Sequence, residues 1–216
     1  MARDVTDIKT TVSCLGLTVL YDLVITVEVF RSFKANEFIN DKYLEDFHNH
    51  SQLSARIAAG ISQSTKVNSA VVLAALLHDV GKLVIAERTP AHFARVLAQS
   101  EEEGRPFHEI EEHFTHISHA EVGAYLLGLW GLPYSVVEAV AHHHHPRLVP
   151  QVGIDMILVV YVSNILAQEC AALAGGPPAL PLDMDLLEQN KAVSFLPEWR
   201  KIAEAAEPPQ PVAVST

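Results

Sequence analysis

In "DFHNHSQLSARIAAGIS" the apolar residues Leu53, Ile57 and Ile61 return every fourth position, which predicts a helix with one inward-facing stripe. His50 stands three positions before Leu53 and projects from that same stripe. The next segment, "NSAVVLAALLHDVGK", is almost wholly apolar and predicts a buried helix stopping at Gly81, a residue suited to a left-handed C-terminal cap. "RTPAHFARVLAQSEEEG" predicts another, with Thr89 as N-cap, Pro90 at the first helical position and Gly104 just past the end. In "SHAEVGAYLLGLWGLP", Ser118 and Glu121 have the spacing of a capping box, while Gly131 and Pro133 close the helix. There Tyr125 and Trp130 lie at helical spacing with leucines and read as core. "SVVEAVAHHHHP" runs as helix to Pro146, and "IDMILVVYVSNILAQEC" is the last strong helix. Beyond Cys170, "AGGPPALPLD" reads as loop, "MDLLEQN" and "PEWRKIAEAAE" as short helices. Strand-like alternation is scarce, despite the valines between Val24 and Val29. The pattern predicts an all-α bundle, a single helical domain over 1–205 with a frayed tail over 206–216.

About half of the 216 residues are apolar (49%), which excludes a chain disordered throughout and suffices for one sizeable core. The formal net charge of -11 excludes a general nucleic-acid binder, whose basic face must displace counterions, but leaves room for a local basic pocket. Two apolar runs approach membrane length. Residues 15–30 are broken by Asp22 and Glu28, and residues 153–167 are short and carry Asp155 and Asn164. A spanning helix needs about 20 mostly apolar residues, so both read as buried helices. The polar, acidic start "MARDVTDIKT" is unlike a secretory signal. Cys14 and Cys170 form neither a metal motif nor a disulfide framework, so a soluble protein of the reducing cytoplasm is expected.

Candidate chemistry gathers at "LLHDVGK". Adjacent His78 and Asp79 cannot face the same way from a straight helix, but at a helix terminus the backbone turns and both can converge on one ion. A carboxylate can bridge two metals, and neutral imidazole suits iron, manganese or zinc. Partners are available elsewhere. His50 lies on an inward stripe, and His119 opens a capped helix with Gly123 one turn later leaving room beside it. His143 and His144 belong to a run of four histidines ending another helix, where His144 shares a face with Val137, Val140 and Ala141. Eight of the twelve histidines fall between residues 108 and 145, a clustering that random scatter does not produce.

The order His50, His78-Asp79-x-Gly-Lys, His119-x-x-x-Gly, Trp130-x-Leu-Pro, His143-His144 resembles the HD superfamily and, more narrowly, the HDOD domain, a bacterial signalling module related to the HD-GYP phosphodiesterases. The segments "LGLTVLYDLVI", "NHSQLSARIA", "ALLHDVGKLVI", "SHAEVGAYLLGLWGLPYSVVEAVAHHHHP" and "VVYVSNILA" carry the resemblance in order. It implies an HD-superfamily-like helical bundle, and a chain that begins partway through the usual domain, without its N-terminal helical lobe. It also implies one or two divalent ions: one among His50, His78, Asp79 and a late acidic residue, a second held by His119, His143 and His144 with Asp79 shared. Lys82 would then sit near a substrate phosphate. The late position is Asn164 here, where family members carry aspartate, so the site loses one negative charge. His145 replaces the glutamate of the usual HHE-P run, and no GYP triplet follows.

Bland alternatives stand beside each residue. His78-Asp79 can be a helix end whose carboxylate bonds backbone amides, His50 a satisfied core histidine, His119 a helix opener and Lys82 a solvated lysine. His143 and His144 can be a positive helix terminus favoured by the macrodipole. His142 and His145 read as solvated, His108, His113 and His116 as surface residues near a polar loop, and Glu101 to Glu103 as a solvated charge run. Two classes of function follow. The favoured reading is a signalling output module acting through a protein partner or receiver domain, with a degenerate metal site. The other is a metal-dependent phosphohydrolase with a phosphate-containing ligand.

Overall fold

The first described helix takes shape at Asn40, whose Oδ1 accepts the Tyr43 N–H at 2.8 Å and caps the helix start. A computed structural model describes residues 39–150, 152–174 and 178–206. The helix anticipated in residues 15–30, the valine-rich stretch within it, Cys14, the tail from residue 207 and part of the "AGGPPALPLD" loop lie outside the described residues. Every regular element among the described residues is helical, and an all-α fold is observed.

Helix α1 (Asp41–Thr65) carries Leu53, Ile57 and Ile61 inward as the four-residue spacing predicts, and ends at Lys66, which takes the left-handed conformation with φ 61°. Helices α2 (Val71–Leu77) and α3 (Val80–Arg88) are joined by a break at His78 and Asp79. Helix α4 (Pro90–Glu103) ends at Gly104, with φ 63°. A short helix, α5 (Phe107–Thr115), carries His108 and His113, both expected on the surface near a polar loop. Then come α6 (His119–Leu129), α7 (Tyr134–His142) and α8 (Met156–Leu173), followed by α9 (Met184–Gln189) and α10 (Leu196–Ala205).

Helix α8 is the axis of the bundle. Every residue from Met156 to Ala167 is buried, and α1, α2, α7 and α10 pack around it. Burying a side chain such as Leu158 or Leu166 contributes roughly 1.5–3 kcal/mol, so this helix anchors the core. By length and composition α8 could cross a membrane, yet 67% of it is buried inside the fold, as expected of a core helix. A satellite cluster of Ile39, Ala86 and Phe93, joined by Tyr43, Leu97 and Phe107, ties α4 and α5 to the start of α1.

Three local expectations fail for physical reasons. Gly81 is not a left-handed cap: it lies inside α3, and its φ is not among the positive ones. Glycine is required there because α3 lies flush on α6. A Cβ on Gly81 would run into the His119 carbonyl oxygen and come within 2.8 Å of the Gly123 nitrogen. Thr89 does not cap α4 with its side chain, because its hydroxyl turns back to donate to the Ile85 carbonyl at 3.0 Å. Tyr125 and Trp130 are not core: they are 72% and 39% exposed, because α6 buries its other side, with Ala120, Gly123, Ala124 and Leu127.

The contact at Gly81 makes a sharp contrast with Gly128, which has open space around its Cβ position. Gly81→Ala is expected to destabilise the chain by about 3 kcal/mol or more, because backbone atoms cannot yield. Gly128→Ala is expected to stabilise it by about 0.5–1 kcal/mol through helix propensity. Urea midpoints of the two variants against the parent chain check both signs.

Candidate metal centre

The break between α2 and α3 sets the site. At Asp79 the backbone leaves helical geometry (φ -97°, ψ 4°), and the Lys82 N–H resumes the turn by donating to the Asp79 carbonyl at 2.9 Å. That bend lets two neighbouring side chains point into one space. The His78 Nε2 lies 3.5 Å from Asp79 Oδ2, and the Asp79 carboxylate is only 3% exposed. Helix α1 brings His50 alongside, its Nε2 4.0 Å from Asp79 Oδ2 and 3.3 Å from His78 Nε2.

The other carboxylate oxygen faces a second group. His119 is the first residue of α6, fixed there by a complete capping box between Ser118 and Glu121. Its Nε2 lies 3.1 Å from Asp79 Oδ1. At the end of α7, the His143 Nε2 lies 3.6 Å from the same oxygen, and the His144 Nε2 3.1 Å from His119 Nε2. Donor atoms of His50, His78 and Asp79 form one compact group, those of Asp79, His119, His143 and His144 a second, and Asp79 belongs to both.

Tautomers decide what this arrangement wants. The His78 Nδ1 is 2.7 Å from the Ala75 carbonyl, and the His143 Nδ1 is 2.7 Å from the Val140 carbonyl. A carbonyl can only accept, so each Nδ1 carries the proton and each neutral ring turns a lone pair on Nε2 towards Asp79. Acceptor then faces carboxylate, and both Asp79 Oδ1 and His143 Nε2 are buried without a hydrogen-bond partner. A cation resolves that frustration, and imidazole nitrogens sharing a carboxylate suit a divalent first-row ion. The residues fit a metal.

Electrostatics agree. Burial, with the neighbouring imidazole of His78, pulls His50 down to about 4. Burial takes His78 to about 4 as well, against the attraction of Asp79. Burial together with His143, His108 and His119 holds His144 well below the usual histidine range. These rings are neutral at neutral pH. For Asp79, burial works against ionisation, but the Lys82 ammonium beside it outweighs that and keeps the carboxyl well below its ordinary value. His119 alone among these rings is raised: burial and Lys82 oppose the shift, and the carboxylates of Asp79 and Glu111 overcome them. The Lys82 ammonium, on the first turn of α3, lies 2.7 Å from Asp79 Oδ2.

The N-terminal two thirds of the chain, residues 1–146, match the HDOD domain family. The chain belongs to that family. An HDOD domain protein of unknown function from Geobacter sulfurreducens has a similar fold, with a TM-score of 0.67 and 24% identity over 95% of this chain and 76% of its own. A candidate phosphohydrolase from Shewanella amazonensis SB2B is similar at TM-score 0.64 and 18% identity, over 94% of this chain and 78% of its own. An uncharacterised protein of Treponema pallidum (strain Nichols) is 24% identical over 162 residues, 74% of this chain, and the chain spans only 31% of that relative's length.

In this HDOD chain all the residues singled out from the sequence meet in one place: His50, His78, Asp79, Lys82, His119, His143, His144 and Asn164. Asn164, on α8, is 3% exposed; its Oδ1 accepts from Gln168 Nε2 at 2.9 Å, and its side chain bonds His50. Two residues escaped notice. Glu111 on α5 is 1% exposed, and its Oε2 accepts from both the backbone N–H and the Nδ1–H of His119, each at 2.7 Å, fixing the tautomer and direction of that ring. His108, expected on the surface, is 8% exposed and stacks on His144, ring centroids 3.8 Å apart at 12°. The only sequence trace of either is its place in the histidine-rich stretch before His119. His113, His116 and His145 are exposed as expected, His145 with its Nε2 2.7 Å from Glu112.

Glu111→Gln is expected to lower affinity for a divalent ion about 10–100-fold, because the ring it orients loses its anionic support. Asn164→Asp is expected to raise affinity by adding a charged oxygen beside His50. Competition titrations with a metal-sensitive dye report both shifts.

Proposed function

We propose that this chain is a metal-dependent phosphohydrolase of the HDOD type. The observation that carries the reading is the double-faced carboxylate of Asp79, with imidazole nitrogens of His50 and His78 on one oxygen and of His119 and His143 on the other. Such a set would hold one ion through His50, His78 and Asp79, and a second through Asp79, His119, His143 and His144. Iron, manganese and zinc suit these donors. A divalent ion bound there would make water nucleophilic near neutral pH and offset phosphate charge.

The chain's own residues account for the remaining work. Lys82 is 18% exposed at its side chain and faces the cleft that opens on the centre, where its ammonium can neutralise charge building on a phosphate oxygen. Asp79 stays ionised and keeps the ligands gathered. Glu111 holds His119 in the one tautomer that presents a free Nε2. The net reaction adds water across a P–O ester bond, releasing an alcohol and a phosphate. The fold shared with a candidate phosphohydrolase supports this reading without fixing the substrate.

Asn164 favours a second reading. Its neutral amide supplies a weaker ligand than aspartate, which suits a signalling output module that keeps the scaffold, responds to a protein partner or receiver domain, and has lost turnover. The exposed Tyr125 and Leu129 on α6 suit such contacts.

Chelator-free purification followed by metal analysis separates the two. The hydrolytic reading expects about one to two ions per chain and manganese-stimulated cleavage of bis-p-nitrophenyl or p-nitrophenyl phosphate. Turnover should fall at least about 1,000-fold in His78→Ala and Asp79→Asn, and be lost with EDTA and restored by manganese. A metal-free chain that stays inactive on both esters after manganese loading overturns it and leaves the signalling module.

A further inference from the structure

A cleft of about 760 Å³ opens on the centre, with His50, Asp79, Lys82 and His144 among the residues lining it. Aromatic and aliphatic side chains form much of the rest, beside a few polar and charged ones. Phe107 lies beside His119, ring centroids 5.8 Å apart, and its ring sits 5.6 Å from the Lys82 ammonium. Tyr43 and Phe107 both pack on the buried Phe93, at 5.6 and 5.2 Å between centroids, so these rings are fixed in place. Leu97 and Leu180 extend the apolar lining, and the stacked ring of His108 adds a flat neutral face.

Charge along the cleft is uneven. Lys82 stands at the inner end, against Asp79. Arg105, the other cation lining it, is already engaged by Glu103 and Glu109 at 3.1 Å each. Asp46 and Glu101 add carboxylates to the lining, the first paired with Lys42 at 3.0 Å. A phosphate at the inner end finds positive charge and the ligand cluster. A second phosphate farther out finds a neutralised guanidinium, carboxylates and apolar rings.

We infer that the cleft takes a phosphate monoester of a flat, uncharged ring system: the phosphate at Lys82 and Asp79, the ring against Phe107, Tyr43 and Leu180. Ligands with two or more phosphates, cyclic dinucleotides among them, are selected against by the carboxylates and the engaged arginine. The inference rests on the phosphate-processing reading above and names the chemical class it acts on.

The test is calorimetric binding to the full chain in manganese, comparing methyl phosphate, 1-naphthyl phosphate and a cyclic dinucleotide. Naphthyl phosphate is expected to bind at least about tenfold more tightly than methyl phosphate, through burial of its ring, and more tightly than the cyclic dinucleotide. Phe107→Ala and, separately, Leu180→Ala should each shrink the naphthyl-to-methyl ratio; the second leaves the Phe93 cluster intact should the first disturb folding. Equal affinity for the two monoesters, tighter binding of the dinucleotide, or no binding of any of the three overturns the inference. Selective binding without turnover supports the inference and counts against hydrolysis. Turnover of all esters with equal efficiency does the reverse.

Discussion

A carboxylate removed from water must be met by positive charge or hydrogen-bond donors, at a cost of several kcal/mol if it is not. Asp79 is that group in this molecule, and the surrounding structure is arranged to meet the demand. The chain breaks its helix to expose both carboxylate oxygens. Lys82 returns one turn later to pair with one of them. Four other helical segments bring an imidazole or the support of one: α1 with His50, α6 with His119, α7 with His143 and His144, and α5 with Glu111. Because these elements lie far apart in sequence, the site exists only in the folded chain, and forming it is coupled to forming the core.

Steric closeness makes the convergence work. Gly81 and Gly123 let α3 and α6 touch backbone to backbone, which sets His119 within 3.1 Å of the Asp79 oxygen. The carbonyls of Ala75 and Val140 then consume the outer nitrogens of His78 and His143, at 2.7 Å each. Those two backbone contacts use up the ring protons that His78 and His143 could have offered Asp79. Both imidazoles are left presenting a bare Nε2, with an acidity set by burial to keep them neutral at ordinary pH.

Much of this was legible in the amino-acid order. The stripe through Leu53, Ile57 and Ile61 fixed the side of α1 on which His50 lies, and the Ser118–Glu121 capping spacing located His119 at a helix start. Other features were not. "FHEIEEHFT" carries three carboxylates and two histidines in nine residues, a composition from which no helix is expected; its helix buries Ile110 and Glu111, the latter claimed by His119. His108 reads as wet because its partners are the rings of other histidines, contacts without a spacing rule. Gly81 looked like a stop signal because glycine after an apolar run ordinarily ends a helix. Here a neighbouring helix, far along the sequence, requires the missing Cβ. Periodicity placed Tyr125 and Trp130 on a helix but not on its outer side, since α6 is apolar around most of its circumference.

Helix α6 bears His119 on the inside and Tyr125 and Leu129 on the outside, 72% and 67% exposed. A rod of eleven residues joined by an unbroken ladder of backbone bonds turns as one body. The inner ring and the outer aromatic face therefore belong to one element, and α3 lies flush against it at Gly81. A substitution on the outer face is thus also a change in the helix that carries the inner imidazole.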